Sequence, residues 1–135
     1  MKSKFYMVVM LIFATTMAFS QVSFDECDSP ENIEVTNISY STALLNWLPA
    51  PETSVWYVEV GSVGFNPGQG DYLIKEEVIL TLPAISSFCT LNLKGLEPMT
   101  QYEVYIRTVC EYEVEWVGPV TFMTRPKVKK SESVR

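Results

Sequence analysis

The chain has 135 residues, 47% of them hydrophobic, no His, and a formal net charge of −6 at pH 7. The length suits one domain of ordinary size. Without His the chain cannot assemble a Ser-His-Asp triad or a Cys-His pair, and it lacks the commonest metal ligand.

The first twenty residues stand apart. Lys2 and Lys4 give a basic start, and Phe5 to Phe19 is nearly all apolar. Ala18 and Ser20 are small residues at the minus-three and minus-one positions of a cut before Gln21, so residues 1–20 read as a secretory signal peptide. The apolar run is fifteen residues, short of the roughly 20 that a spanning helix needs. No other segment is apolar enough to cross a membrane as a helix. Export to the cell surface or beyond is expected, and disulfides persist in such compartments. Cys27, Cys89 and Cys110 allow three single bridges, each leaving one thiol over.

Residues 21–28 form an acidic lead-in. Pro30 then marks the first strand, where a missing N–H is tolerated, with Ile33, Val35 and Ile38 as apolar positions. Ser41 to Trp47 alternates cleanly, with Ala43, Leu45 and Trp47 on one face. Pro49 and Pro51 close it with a stiff loop. Trp56, Val58 and Val60 alternate with Tyr57, Glu59 and Gly61 in a third strand. Gly61 to Gly70 is turn chemistry, in the text GFNPGQG. No Lys-Ser/Thr and no helix follow it, which argues against a phosphate loop. Tyr72 to Leu82 suits one or two edge strands, and Pro83 to Ser87 a loop. Cys89, Leu91 and Leu93 share one face of the next strand. After a turn shaped by Leu96, Pro98 and Thr100, Tyr102, Val104 and Ile106 share a face, with Glu103, Tyr105, Arg107 and Val109 opposite. Val117 to Thr124 is the last strand. Seven or so short strands, regular turns and no helical period predict an all-β, seven-stranded antiparallel sandwich.

Charge is distributed unevenly. Residues 21–124 carry fifteen acidic side chains against Lys75, Lys94 and Arg107, whereas the last eleven residues carry five basic side chains and one acid. The acidic body argues against nucleic acid or an anionic membrane as its partner. The tail, residues 126–135, is polar and charged and is expected to be flexible.

The stretch Glu111-Tyr112-Glu113-Val114-Glu115-Trp116 alternates acid with aromatic or apolar residues. On a loop between the last two strands, Tyr112 and Trp116 would be contact anchors. Trp56 and the Pro49–Pro51 loop would neighbour that pole. Glu111, Glu113 and Glu115 match no EF-hand spacing. No cofactor, no metal and no catalysis are expected.

From about Ser29 to Thr124 the chain resembles a fibronectin type III domain, an immunoglobulin-like fold. The resemblance rests on the Pro30 opening, A-x-L-x-W ending at Trp47, G-L-x-P-x-T-x-Y from Gly95 to Tyr102, and F-x-T from Phe122 to Thr124. The domain is accordingly assigned to residues 29–125. It implies structural roles for Trp47 between the sheets, for Leu96 at the base of the core and for Tyr102 as a tyrosine corner. An immunoglobulin domain would want Cys where Val104 stands. A bacterial secreted subset of the family is similar also at Cys27 to Pro30, Gly64 to Gly68, Arg107 to Cys110 and Trp116 to Pro119. That likeness implies a Cys27–Cys110 bridge and a buried, inert Cys89. It further implies a non-catalytic module, expected as a monomer, that binds protein or carbohydrate or acts as a spacer. The alternative is an accessory domain of a larger secreted enzyme or adhesin whose activity lies elsewhere.

Overall fold

A computed structural model describes residues 27–80 and 88–128. The expected signal peptide, the expected Pro83–Ser87 loop and the tail from residue 129 lie outside the described residues.

Seven strands make two antiparallel sheets. They are β1 (Glu31–Thr36), β2 (Ala43–Leu48), β3 (Val55–Ser62), β4 (Ile74–Ile79), β5 (Cys89–Leu93), β6 (Gln101–Thr108) and β7 (Val117–Met123). One sheet has the order β1-β2-β5 and the other β4-β3-β6-β7. This is the seven-stranded sandwich that the alternation predicts. The stretch after Tyr72 forms one strand among the described residues, at the edge of the larger sheet.

The inward residues of each strand supply the core. Ala43, Leu45 and Trp47 from β2 meet Trp56, Val58 and Val60 from β3 and Tyr102, Val104 and Ile106 from β6, all buried. Trp47 packs edge-on against Trp56, with ring centroids 5.6 Å apart and planes at 68°. Such pairing adds about 0.5–1.5 kcal/mol to the area the rings bury. Trp56 therefore belongs to the core, at the pole of the β6–β7 loop. Its place opposite Thr108 on β6 sets it near that pole, but the pleat turns its ring inward. The indole N–H groups of both Trp residues have no hydrogen-bond partner among the described residues.

Leu96 is buried, and the turn around it is closed by side chains. The Glu97 N–H donates to the Tyr102 hydroxyl at 2.8 Å, the geometry of a tyrosine corner. Thr124, also buried, accepts the Thr100 N–H at 2.9 Å and donates to the Glu97 carbonyl at 2.5 Å. Burial of these polar groups is tolerated because each finds a partner.

At the opposite pole, Cys27 and Cys110 form a disulfide, with Cα atoms 6.3 Å apart. Nearby, the Thr108 hydroxyl donates to the Asp28 carbonyl at 3.1 Å. Cys89 is free and buried, and burial pushes its thiol pKa up.

Candidate functional site

The segment from Glu111 to Trp116 is the β6–β7 loop. It leaves Cys110, is pinned by a bridge between Val109 and Glu113, and sits beside β3 through the Val109 N–H to Val55 carbonyl bond of 2.9 Å. Tyr112 is 59% exposed. Glu111 and Glu115 are exposed as well. Glu113 is drawn to Arg107, 3.7 Å away. An exposed pair of this kind contributes little to stability. Among the described residues no group of three or more Asp, Glu or Cys is arranged to hold a metal.

Trp116 points across the sheet rather than into the core. Its ring lies 4.9 Å from the Arg107 guanidinium. Its Nε1 stands 3.1 Å from where a Cβ on Gly68 would be, and Gly68 has φ +79. A side chain there would be strained and would press on the indole. Loops from the two poles thus meet over the outer face of the larger sheet.

That face carries a row of alternating rings and cations. Lys75 is 5.6 Å from the Tyr72 ring and 5.3 Å from the Tyr57 ring. Arg107 is 5.7 Å from Tyr57 on its other flank, and then meets Trp116. Strand register explains the order. Tyr57 on β3 is opposite Arg107 on β6, and Lys75 on β4 is one diagonal away. Each contact is worth about 0.5–1 kcal/mol at an exposed site. Alternation alone places Tyr57 and Arg107 outward, but it does not reveal that they are neighbours.

Beneath the row lies a feature the sequence does not disclose. Glu59 and Glu103 occupy outward positions of β3 and β6, yet both are buried. The glycine-rich loop folds back over them. Glu59 accepts the Gly68 N–H at 2.7 Å, and Glu103 accepts the Gly64 N–H. Phe65 fills the space above Gly61, where a Cβ would come within 2.5 Å of its ring, and packs edge-on against Tyr105. GFNPGQG is a cover for the sheet, anchored by two carboxylates.

An antiparallel sandwich with strand orders β1-β2-β5 and β4-β3-β6-β7, a tyrosine corner and a long β6–β7 loop defines the immunoglobulin-like class. The model of the fibronectin type III domain matches residues 28–123, and the chain belongs to that family. Among solved structures, a computationally redesigned β-sandwich protein is similar at 30% identity over 72% of this chain and 94% of that one, with a TM-score of 0.52. The FN5 domain of Drosophila Lar is 18% identical over 73% of this chain and 96% of that one, with a TM-score of 0.53. The sensor domain of the anti-sigma factor RsgI4 in Pseudobacteroides cellulosolvens is 15% identical over 79% and 100%, with a TM-score of 0.53. The last two likenesses are of fold alone. No curated protein matches the chain.

Proposed function

We propose that the chain is an exported, non-catalytic fibronectin type III module that binds a protein at the cell surface or outside it. The observation that carries this reading is the exposed Tyr112 beside the row Tyr72–Lys75–Tyr57–Arg107–Trp116. Aromatic and Arg side chains on a firm support are typical anchors of protein interfaces. A sugar ring would need a free aromatic face. In the row the faces of Tyr57, Tyr72 and Trp116 have cations over them, which favours protein over carbohydrate. Glu111, Glu113 and Glu115 would form the polar rim and steer a partner with basic groups. The apolar start of the chain and the Cys27–Cys110 disulfide support an oxidising, extracytoplasmic setting.

The test is retention of cell-surface proteins and of a glycan panel by the immobilised mature chain. Tyr112→Ala should abolish protein retention and leave the melting temperature unchanged, since Tyr112 is mostly exposed. Trp116→Ala should weaken retention and cost about 1 kcal/mol of stability through its lost Arg107 contact. Retention of glycans alone, or protein retention indifferent to both changes, would overturn the reading.

A further inference from the structure

The disulfide pole is strongly acidic, whereas the far pole sets Lys94, Arg125 and Lys127 among Asp71 and Glu97. Asp28, Glu31, Glu52, Glu111, Glu113 and Glu115 cluster at the disulfide pole. The nearest cation among the described residues, Arg107, is engaged by Glu113. At the far pole, the Arg125 N–H is fixed to the Ser39 carbonyl at 2.9 Å and Lys127 lies over the Tyr40 ring at 5.7 Å. Val128 beyond it is 84% exposed.

The acidic pole also holds an open groove of about 840 Å³. Pro30, Leu48, Pro49, Pro51 and Val117 line it, and Asp28 and Glu31 stand at its edge. Three prolines make its walls stiff and supply no N–H to a ligand. The groove therefore suits a segment bound by apolar contact and charge. Residues 126–130 of this chain, Pro-Lys-Val-Lys-Lys, have that character. In an extended chain successive side chains alternate, so Pro126 and Val128 can enter the groove while Lys127 and Lys129 meet the acidic edge.

We propose that this groove receives the basic C-terminal segment, Pro126 to Lys130, of a second copy of the chain. The same copy's segment does not reach. The poles are separated by the length of β3, about 27 Å at roughly 3.4 Å per residue. Two residues beyond Val128 extend at most about 7 Å. The contact is head-to-tail and joins unlike surfaces, so it builds a row or a ring of copies, in place of the monomer expected from the sequence. It joins charges at the surface and is weakened by salt.

Sedimentation velocity of the mature chain tests this. Concentration-dependent association is expected at low salt and is lost at high salt. Reversing the tail charges (Lys127→Glu, Lys129→Glu, Lys130→Glu) should give a monomer. Reversing the groove edge (Asp28→Lys, Glu31→Lys) should do the same, and mixing the two variants should restore a complex. Asp28, Glu31 and Lys127 are exposed, and unchanged unfolding curves will show that both variants fold. A synthetic peptide of residues 126–135, added to the tail-reversed chain, should shift the amide signals of Glu31, Leu48 and Val117. Weakening of that binding by about tenfold or more is expected in the groove-edge variant, from two reversed rim charges. A chain monomeric at all concentrations, association that survives tail reversal, or peptide shifts confined to the Tyr112 loop would each overturn the proposal.

Discussion

Glu59 and Gly68 are nine residues apart, and a hydrogen bond of 2.7 Å between carboxylate and backbone N–H turns the loop between them back over the sheet. Removing the acceptor leaves the Gly68 N–H without its partner and opens the cover. Glu59→Ala should cost about 1.5–3 kcal/mol, the range for hydrogen bonds to charged groups. Glu59→Gln keeps an acceptor and should cost less. Urea unfolding checks the ranking, and Trp116 emission should shift toward that of exposed indole in the Ala variant.

The closed turn makes a second prediction. Thr124→Val leaves the Thr100 N–H and the Glu97 carbonyl without their shared hydroxyl and should cost about 1–3 kcal/mol. Tyr102→Phe loses one acceptor, for Glu97, and should cost about 1 kcal/mol. Denaturant midpoints at constant slope will measure both.

The disulfide spans a sequence separation of 83 residues. Chain-entropy arithmetic gives about 4–5 kcal/mol as an upper figure for such a loop. The Cys27→Ser, Cys110→Ser pair should lose up to that amount in chemical denaturation. In the unreduced native protein, alkylation of Cys89 should follow global unfolding, because the thiol is both buried and held protonated. The sign of its pH effect is fixed. A thiol pKa raised on folding favours the native state below the ordinary thiol range, and that advantage is lost as pH rises through the folded value.

Edge strand β4 guards itself. Glu76 is opposite Val58, on the side of the sheet that faces inward, yet it is exposed. An inward-pointing charge at an edge discourages pairing with another sheet. Glu76→Val should leave unfolding unchanged or slightly stabilised and increase light scattering on concentration. Scattering no greater than that of the parent chain would show that the edge is protected otherwise.

Met99 sits in the β5–β6 turn with φ 53 and is 62% exposed. A left-handed backbone costs an L residue about 1–2 kcal/mol, and glycine is free of that cost. Part of the gain is returned through the more flexible unfolded chain. Met99→Gly should therefore raise stability by about 0.5–1 kcal/mol, measurable by thermal unfolding.

Much of the fold was legible because inward residues alternate. Trp47, Val58, Val104 and Ile106 declare the core by period, and Gly95 to Tyr102 declares a turn by residue type. What could not be read depends on which strands are neighbours. Tyr57 and Arg107 are fifty residues apart in sequence and opposite each other across β3 and β6. The burial of Glu59 and Glu103 depends on a loop folding back, and alternation marks both as solvent-facing. For Trp56 only the partner was hidden. Its nearness to the loop from Glu111 to Trp116 was visible, but Trp47 lies across the sandwich in the other sheet.

The Cys27–Cys110 link also sets how the module would carry tension. A pull applied at the two termini enters at Cys27, crosses to Cys110 and leaves through β7. Strands β1 to β6 lie outside that path and stay coiled behind the link. Only the roughly 14 residues from Glu111 to Thr124 can pay out, about 50 Å at most. Under oxidising conditions the module would stretch by one strand and then hold. After reduction, the whole domain would unravel.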